Sequence, residues 1–477
     1  MELNVSPLKE EIDKILSEDS LKVFFEYTCY FRIRKPNNVD IKGANVGDYI
    51  NPEEQDDIYR PLKITNIDFI RDYELNIGDE GSINLTISMG MWFKILQPYR
   101  DYLELVLTKK PLQERDLNYD KDEEAIIQVF ACIPKVEALS VGEASKYDKH
   151  KRVDLDSAGM VDIEFQLMDL SIEKVRSVTV GGIFRRTTAE KVVKGILAKE
   201  SEKLNIADNG KAVENIKMVE SKNQEEREHI MVPQGIKLSE LSAYVHRSCG
   251  GIYSTGVNTY LQNKNWYVFP LFDTTRFDQE EKTLTVLKIP SMIYDEAERT
   301  WRKDGGRLIC MATSESNFDD KGDQDFKDAG NGVRFADARQ FMHKLVETKD
   351  NKAIAKRGKN NHEFLFKKMQ IGDEQNNNVQ NSVDSIHSNP FVEDSKLSRR
   401  EGNFYTFLWK NSTDEEFYPG MPVKILYIKD DELKEIRGVL LKAHHAIMMQ
   451  GVGMTAQTYR QQTVFYVYVD KNSVEAK

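Results

Sequence analysis

Residues 82–89 read Ser-Ile-Asn-Leu-Thr-Ile-Ser-Met, so polar and apolar side chains alternate at every position. Successive side chains of an extended chain point to opposite sides, which places the apolar residues on one face and the polar residues on the other. Such a strand buries one face and turns the other toward water or a polar lumen. The stretch therefore predicts a β-strand in a sheet that is packed on one side.

The same alternation returns in residues 103–107 and 161–167. Residues 23–33 are dense in aromatic and β-branched side chains, which favours a strand over a helix. Residues 125–133 are more continuously apolar and are predicted to form an interior strand. Together these segments predict a closed or nearly closed antiparallel barrel over residues 20–175, because closure protects the sheet edges.

The middle of the chain carries helix signals. Thr187 and Glu190 have the spacing of a capping box and precede an apolar stripe, so a helix is predicted here. A second short helix is predicted over residues 238–248, with Gly250 and Gly251 as its stop signal. This order predicts an α+β insertion in which helices pack on a small meander. The expected strands are residues 252–253, 259–261, 266–269 and 284–289.

A long polar region follows. Residues 316–400 are rich in Asp, Asn, Gln, Ser and Gly, which predicts loops or a mobile arm. Within it we expect one short helix over residues 336–346 and one short strand over residues 364–366. Residues 376–378 are all asparagine, and missing order is expected around them.

Strand character recovers near the C-terminal end. Pro419 and Gly420 supply a turn, because proline fixes φ at the first turn position and glycine accepts the positive φ that follows. Together with residues 307–312, the C-terminal strands predict a second barrel. They are residues 404–409, 423–428, 439–443 and 464–469.

The predicted fold is mainly β with an α+β insertion, in which two antiparallel tube-type β-barrels flank a small helix-plus-meander domain. The expected domains are an N-terminal helix with the first barrel, the α+β domain, part of the second barrel with the polar region, and the remainder of the second barrel. Their boundaries are 1–178, 179–300, 301–400 and 401–477.

Composition sets limits on function. The chain has 477 residues, which predicts about three or four domains. An apolar fraction of 40% and a charged fraction of 30% are typical of globular proteins. The formal net charge of -11 disfavours a general nucleic-acid binder, because phosphate contacts need a surplus of Lys and Arg, although a local basic patch stays open.

Cysteine usage and hydropathy indicate the compartment. Cys29, Cys132, Cys249 and Cys310 stand singly, which predicts buried thiols from a reducing compartment. The first 20 residues do not resemble a signal peptide, and no apolar run reaches the roughly 18 residues that span a bilayer. We therefore expect the protein to be made in the cytoplasm and kept there until assembly, without membrane insertion.

Motifs of catalysis and metal binding are absent from the sequence, which contains no P-loop, HExxH or GxSxG pattern. His444 and His445 are adjacent, and in a strand they would point to opposite faces, so a shared metal is disfavoured. His229 lies in a charge run that is predicted to be a solvated helix or loop face. No catalytic, cofactor-binding or metal-binding residue is predicted.

Three weaker patterns are interpreted as structural or as contacts. Residues 319–325 are rich in oxygen ligands but lack the glycine position and final Glu of a calcium loop, so an incidental polar loop is favoured over a bound divalent ion. The glycines of residues 250–256 follow a helix and predict a turn. Met448, Met449 and Met454 predict a flexible apolar loop, which fills a core or contacts another subunit.

The order of parts resembles a known family. A first barrel precedes the helix TTAEKVVKGILAKESEKL, then VPQGIKLSELSAYVHRSCGGIYSTGVNTYLQNKNWYVFPLFD, then a closing barrel with YPGMPVKILYI and TVFYVYVD. This order is similar to the baseplate hub proteins of contractile-tailed bacteriophages of the T-even type, and to related proteins of tail-like injection machines. The likeness is one of pattern and order over most of the chain, and residues 316–400 depart from it.

The resemblance implies a non-catalytic structural protein of the virion. Two tube-type barrels per chain would let a homotrimer form a pseudo-sixfold ring that joins the hexameric tail tube to the trimeric central spike. Other baseplate proteins would surround this hub, and the tape-measure protein and then DNA would pass through its lumen during genome ejection. No cofactor and no specific nucleic-acid binding are implied.

Two alternatives stay open. A cell-wall-degrading enzyme of the tail tip would need a paired Glu and Asp in a cleft, and 78 acidic residues make chance pairs inevitable. Another tail tube, baseplate ring or wedge protein would differ from a hub in its oligomer order.

Overall fold

A computed structural model gives the structure of the chain. It describes residues 6–17, 25–33, 58–111, 126–135, 159–206, 210–290, 299–315, 333–335, 354–356, 364–371, 374–381, 391, 395, 398–399, 402–413, 416–429, 432–450 and 458–470.

The described residues are mainly β, as predicted. Among the residues described, four α-helices have seven or more residues: α1 Ser6–Ser17, α2 Leu170–Arg176, α3 Ala189–Ser201 and α4 Leu241–Ser248. The strands are β1 Phe25–Ile33, β2 Lys63–Asp72, β3 Glu80–Ser88, β4 Leu103–Pro111, β5 Ile126–Pro134, β6 Met160–Asp169, β7 Thr179–Thr187, β8 Asn205–Ile206, β9 Gly210–Lys211, β10 Asn215–Met218, β11 Arg227–Lys237, β12 Val257–Gln262, β13 Asn265–Pro270, β14 Thr283–Lys288, β15 Trp301–Asp304, β16 Arg307–Glu315, β17 Val333–Phe335, β18 Ile354–Lys356, β19 Phe364–Ile371, β20 Glu374–Asn381, β21 Asn403–Lys410, β22 Pro422–Lys429, β23 Glu432–Gln450 and β24 Thr458–Val469.

The first ring is a closed sheet. Its strands pair in the order β23-β2-β3-β6-β5-β4-β1-β24, and β24 returns to β23. Apolar side chains of β3 and β6 point inward, where Phe165 is fully buried and its ring centroid lies 5.0 Å from that of Phe31. The predicted alternation of residues 82–89 is therefore confirmed over β3. The predicted barrel of residues 20–175 needs β23 and β24 to close it.

The second ring is also closed. Its strands pair in the order β14-β22-β23-β24-β21-β16, and β16 returns to β14. All of these pairs are antiparallel except those of β14, which runs parallel to both neighbours. A parallel pair needs a crossover instead of a hairpin, and β14 does follow the α+β domain along the chain. Helix α1 covers the outer face of this ring through Leu8 and Ile15.

One hairpin belongs to both rings. The N-terminal part of β23 pairs with β22, whereas residues 442–448 pair with β2. On β24, residues 462–469 pair with β21, whereas Thr458 and Tyr459 pair with β1. The hairpin accordingly places Ile447 in the core of the first ring and Phe465 in the core of the second. We call β23 and β24 the shared hairpin.

The α+β domain lies between the rings in sequence. Helix α3 packs through Val193 and Leu197 on a core that also holds α4 and Trp266 of the β12-β13 hairpin. Thr188, one residue beyond the predicted cap, accepts a hydrogen bond from the Lys191 N–H and caps α3. Glu190 instead accepts a hydrogen bond from the Ser221 N–H at 3.1 Å.

Other sequence expectations are revised. Residues 252–253 form no strand, whereas β12 and β13 contain the other two predicted strands of the meander. The predicted strand of residues 364–366 lies in β19, and the asparagine tract lies in β20, which pairs with β19, so a hairpin replaces the loop expected after that strand. The predicted helix of residues 336–346 falls outside the described residues. The predicted domain boundaries stay a prediction.

Candidate functional site

The outward faces of four neighbouring strands form a polar surface on the first ring. We call this surface, carried by β23, β2, β3 and β6, the polar wall. Asn84 lies between Asn66 and Glu164 in the cross-strand register, and Ser82 lies between Asp68 and Gln166. The inward alternation of β3 and β6 dictates this polar outer face, because a strand with a period of two cannot bury both sides.

Hydrogen bonds between side chains tie the polar wall together. The Asn84 Nδ2 donates to Asn66 Oδ1 at 2.6 Å, and the Asn66 Nδ2 donates to Asp68 Oδ2 at 2.8 Å. The His444 Nε2 lies 3.0 Å from Asp68 Oδ1, which extends the row onto the shared hairpin. At the β6 edge of the wall, the Lys135 ammonium donates to the Glu164 carboxylate at 3.0 Å. The wall is therefore held by hydrogen bonds among its own polar groups.

A second polar feature is buried where the rings and the α+β domain meet. The Arg71 Nε donates to Asp79 Oδ2 at 3.0 Å, and the Tyr260 hydroxyl donates to Asp79 Oδ1 at 2.9 Å. Arg71 also lies 3.3 Å from the Nε2 of His445, whose Nδ1 lies 2.8 Å from the Thr463 hydroxyl. We call these five residues the junction.

The junction fixes the tautomer of His445. A guanidinium nitrogen can only donate, so the His445 Nε2 must accept from Arg71 and the proton must reside on Nδ1. Nδ1 then donates to the Thr463 hydroxyl, which lies 2.6 Å from the Ser412 hydroxyl just beyond β21. The chain of hydrogen bonds thus runs from β12 through the first ring and the shared hairpin to the second ring.

Backbone contacts reinforce the junction. The Asn258 Nδ2 donates to the Tyr73 carbonyl at 2.6 Å, and the Leu261 N–H donates to the Ile77 carbonyl at 2.7 Å. The Gln262 Nε2 donates to the Phe417 carbonyl at 2.8 Å, which links β12 to the second ring. These bonds lock the α+β domain against both rings.

A small cleft of about 20 Å³ opens beside the junction. Asp79 and Asp169 both line it, and burial together with the nearby Asp79 charge raises the pKa of Asp169. Asp169 caps α2 by accepting a hydrogen bond from the Ser171 N–H at 2.7 Å. Both carboxylates of this cleft are therefore engaged by structural partners.

The sequence candidates fall into separate places. His444 and His445 do point to opposite faces, one on the polar wall and one in the junction, as predicted. His229 lies exposed in β11, so the charge run around it ends in a strand instead of a helix or loop. Met448 and Met449 extend β23, which corrects the predicted loop, and Met454 lies outside the described residues.

The glycine turn has a packing role. Gly251 has φ +87°, and a Cβ built there would meet the Cβ of Phe391 at 2.5 Å. Arg399, from the same stretch of chain as Phe391, forms an ion pair with Glu74 of the first ring at 2.9 Å. Residues 250–256 therefore form a turn, as predicted, that receives the end of the polar region.

The remaining candidates concern ions and thiols. The oxygen-rich residues 319–325 lie outside the described residues. Within the described part of the chain, no group of three or more His, Cys, Asp or Glu side chains could hold a metal ion. The four cysteines are free and buried, as predicted, and burial raises the pKa of the Cys29 thiol.

The helices described by the structure include none that is both long enough and apolar enough to cross a bilayer.

Sequence patterns missed the junction and the pairing of β7 with β11. Arg71 and His445 are 374 positions apart, so no local spacing connects them. The only usable signal was a charged residue, Arg71, at the end of an otherwise alternating strand.

Comparisons with known proteins give matches in structure only. No family model matches the chain, and no curated protein matches it. The 43 kDa tail protein of prophage MuSo2 from Shewanella oneidensis is similar at 8% identity, over 94% of this chain and all of that one, with a TM-score of 0.43.

Two further solved structures are similar at lower TM-scores. A chain of the Francisella PdpA-VgrG complex matches at 9% identity, over 98% of this chain and 62% of that one, with a TM-score of 0.40. The E. coli c3393 protein, a type VI secretion system component, matches at 7% identity, over 85% of this chain and 73% of that one, with a TM-score of 0.36.

Proposed function

We propose that this chain is a structural component of a phage-type tail baseplate, in which copies of it form a hub ring around a central passage. The observation that carries the proposal is the pair of closed sheet rings joined by the shared hairpin. Two rings in each chain let three chains present six ring-shaped units, which matches a sixfold tube on one side and a threefold spike on the other.

The polar wall supports a role at the lumen. Its side chains are mostly Asn, Ser, Thr, Asp and Glu, and its ion pairs and hydrogen bonds hold them close to the sheet. DNA is bound chiefly by Lys and Arg, so a wall of neutral and acidic groups lets a polyanion pass without adhering. We propose that the wall lines the passage for the tape-measure protein and then DNA.

The junction supports rigid transmission of force. Hydrogen bonds that cross all three parts of the chain resist independent movement of the rings, because a shift would leave buried polar groups there without their partners. A connector between a tail tube and a spike must hold both in register. The protein would then act in the virion, with the tail tube protein, the central spike protein and other baseplate proteins as partners.

The test is to locate the polar wall in the assembled ring. All four native cysteines are buried, so Ser82→Cys places one reactive thiol on the wall for a gold cluster label. Lys194→Cys on the exposed side of α3 is the matched control. In electron micrographs of assembled rings, we expect gold at the central hole for Ser82→Cys and away from it for Lys194→Cys. Gold at the outer rim for the wall variant would sink the proposal.

The tail-tip hydrolase has one structural point in its favour, the shared cleft of Asp79 and Asp169. A cleft of about 20 Å³ is far smaller than the roughly 300 Å³ at which small-molecule sites begin. In addition, Arg71 forms an ion pair with the Asp79 carboxylate, and the N-terminus of α2 donates a hydrogen bond to the Asp169 carboxylate. Light scattering at several concentrations separates the remaining alternatives, because a trimer fits a hub and a hexamer fits a tube ring.

A further inference from the structure

The cleft beside the junction is lined by a buried side chain with an unsatisfied oxygen. Gln262, the last residue of β12, lines the cleft and is 4% exposed. Its Nε2 donates to the Phe417 carbonyl at 2.8 Å, and a carbonyl oxygen can only accept, so the orientation of the amide is fixed. The Gln262 Oε1 is buried, and no donor of the described residues bonds to it. Phe417 lies outside the cleft lining, so Oε1 is the end of the amide that faces the cleft.

A buried acceptor of this kind needs a donor or a positive charge. Unsatisfied buried acceptors are rare in native proteins, because the interaction with water is lost on burial and nothing replaces it. The cleft volume of about 20 Å³ admits one particle of the size of a water molecule. The occupant of the cleft is therefore a water molecule or a single small ion.

The charge of the cleft decides between water and an ion. Asp79 and Asp169 contribute two negative charges to the lining, and Arg71 contributes one positive charge. Burial raises the pKa of Asp169 and the Asp79 charge raises it further, although backbone N–H groups of Ser171 and Ile172 bond to this carboxylate. Among the lining residues, one negative charge is thus left uncompensated, and a neutral water molecule does not compensate it.

The oxygens around the cleft are suitable ligands for a hard cation. Asp79 accepts one hydrogen bond at each oxygen, from Arg71 and from Tyr260, so each oxygen keeps a second lone pair. Ca²⁺ binds carboxylate and amide oxygens in irregular sets that water completes, whereas Mg²⁺ demands a regular octahedron. Two carboxylates alone do not make a metal site, and the Gln262 amide oxygen adds a third ligand.

We propose that this cleft binds one calcium-sized cation through side-chain oxygens of Asp79, Asp169 and Gln262. The three ligands come from the connection between β2 and β3, from the end of β6 and from the end of β12. The cation therefore joins the first ring to the α+β domain. This binding site goes beyond the proposed hub function and does not depend on it.

The experiment measures Ca²⁺ binding to the full chain and to three variants. Asp169→Asn removes one ligand charge and keeps a side chain that caps α2 well. Gln262→Met removes the amide oxygen at nearly constant length. The control, Asp162→Asn, makes the same chemical change as Asp169→Asn at an exposed position of the same strand. Each protein is melted in EDTA and at increasing Ca²⁺, with NaCl holding the ionic strength constant, and circular dichroism follows unfolding.

Tb³⁺ luminescence gives a second measurement that is local to the cleft. Tb³⁺ binds to oxygen ligands as Ca²⁺ does, and a nearby tyrosine excites it. The Tyr260 hydroxyl lies 2.9 Å from Asp79 Oδ1, so Tyr260 is in position to excite an ion in the cleft. We expect a signal that Ca²⁺ suppresses in the native chain and the control, and a much weaker signal in Asp169→Asn and Gln262→Met.

The expected result in the melts is a temperature that rises with Ca²⁺ and then saturates, in the native chain and in the control. In Asp169→Asn and Gln262→Met, the dissociation constant for Ca²⁺ should be at least about tenfold higher, because the charge and number of the ligands set the affinity. In EDTA, Asp169→Asn should melt no lower than the native chain, since it removes an uncompensated charge.

Three outcomes would overturn the proposal. If Ca²⁺ leaves the melting temperature of the native chain unchanged, water alone or a proton on Asp169 fills the role of the cation. Equal Ca²⁺ affinity in all four proteins would place the ion elsewhere in the chain, for example at the oxygen-rich residues 319–325. A loss of affinity in Asp162→Asn as large as that in Asp169→Asn would show a general effect of surface charge.

Discussion

Phe165 shows how one side chain fixes the first ring. It is fully buried between Phe31 and Trp92, whose ring centroids lie 5.0 and 6.3 Å away. Phe165→Asp would bury an unpaired carboxylate there, and we expect it to prevent closure of the ring. Phe165→Leu, the control, should cost only about 1 to 2 kcal/mol. Native circular dichroism and solubility in the Asp variant would contradict this placement.

His246 couples the stability of the α+β domain to acid. Burial lowers the pKa of His246 to about 4 from its ordinary value of 6.5, and its Nδ1 accepts a hydrogen bond from the Ile252 N–H at 3.1 Å. The unfolded imidazole therefore binds a proton at a higher pH than the folded one. The contribution of the neutral His246 side chain to the free energy of unfolding is complete above about pH 6.5. It is lost as the pH falls toward 4, by up to about 3 kcal/mol.

His246→Asn keeps an acceptor near the Nδ1 position and cannot take up the proton. We expect its unfolding free energy, measured in urea, to fall less than that of the native chain between pH 7 and pH 4.5. Equal losses in the two proteins would assign the acid sensitivity to other groups.

Two glycines with similar backbone angles distinguish the cost of backbone strain from the cost of a steric clash. Gly251 and Gly235 have φ of +87° and +94°, but only Gly251 has neighbours that an added Cβ would meet. Gly235→Ala should therefore cost about 1 kcal/mol from the backbone alone. Gly251→Ala should cost at least about 1 kcal/mol more, because Phe391 must move. Equal melting temperatures of the two variants would show that Phe391 gives way freely.

At the scale of elements, the junction ties β2 to the shared hairpin. Arg71→Met would leave the Asp79 carboxylate with Tyr260 as its remaining hydrogen-bond donor in the junction, and we expect a loss of about 3 to 5 kcal/mol. Asp79→Asn in the same background should recover part of the loss, because it removes the uncompensated charge. A double-mutant cycle by urea unfolding measures the coupling, and additive effects would show that the pair does not interact.

Local sequence patterns predicted the individual strands better than they predicted which strands pair. Residues 82–89 and 161–167 alternate strictly, so β3, β6 and the buried position of Phe165 could be predicted from period alone. The pairing of β7 with β11 was missed because Gly181, Gly182 and Pro233 indicate a break in each strand, yet a bulge accommodates them. The polar wall was half predicted: its polar face was expected, but the neighbours of β3 depend on pairings that no local period encodes.

For the whole molecule, the shared hairpin predicts that the rings unfold together. Separate barrels on one chain would unfold as separate domains, but here neither ring stays closed when β23 or β24 leaves. Variants that keep only Trp92, in the first ring, or only Trp409, in the second, report on each ring by fluorescence. We expect the two melting curves to coincide, and curves separated by several degrees would refute joint unfolding.

The shared hairpin also determines when the first ring can close during synthesis of the chain. About 300 residues separate Asp169, the last residue of β6, from Val469, the last of β24. At roughly 5 to 20 residues per second, a ribosome needs about 15 to 60 s to cover that distance. Throughout this interval the emerging N-terminal strands lack the partners that complete their sheet. A truncated message could therefore never yield a finished first ring, and only full-length polypeptides would be competent to join a growing particle.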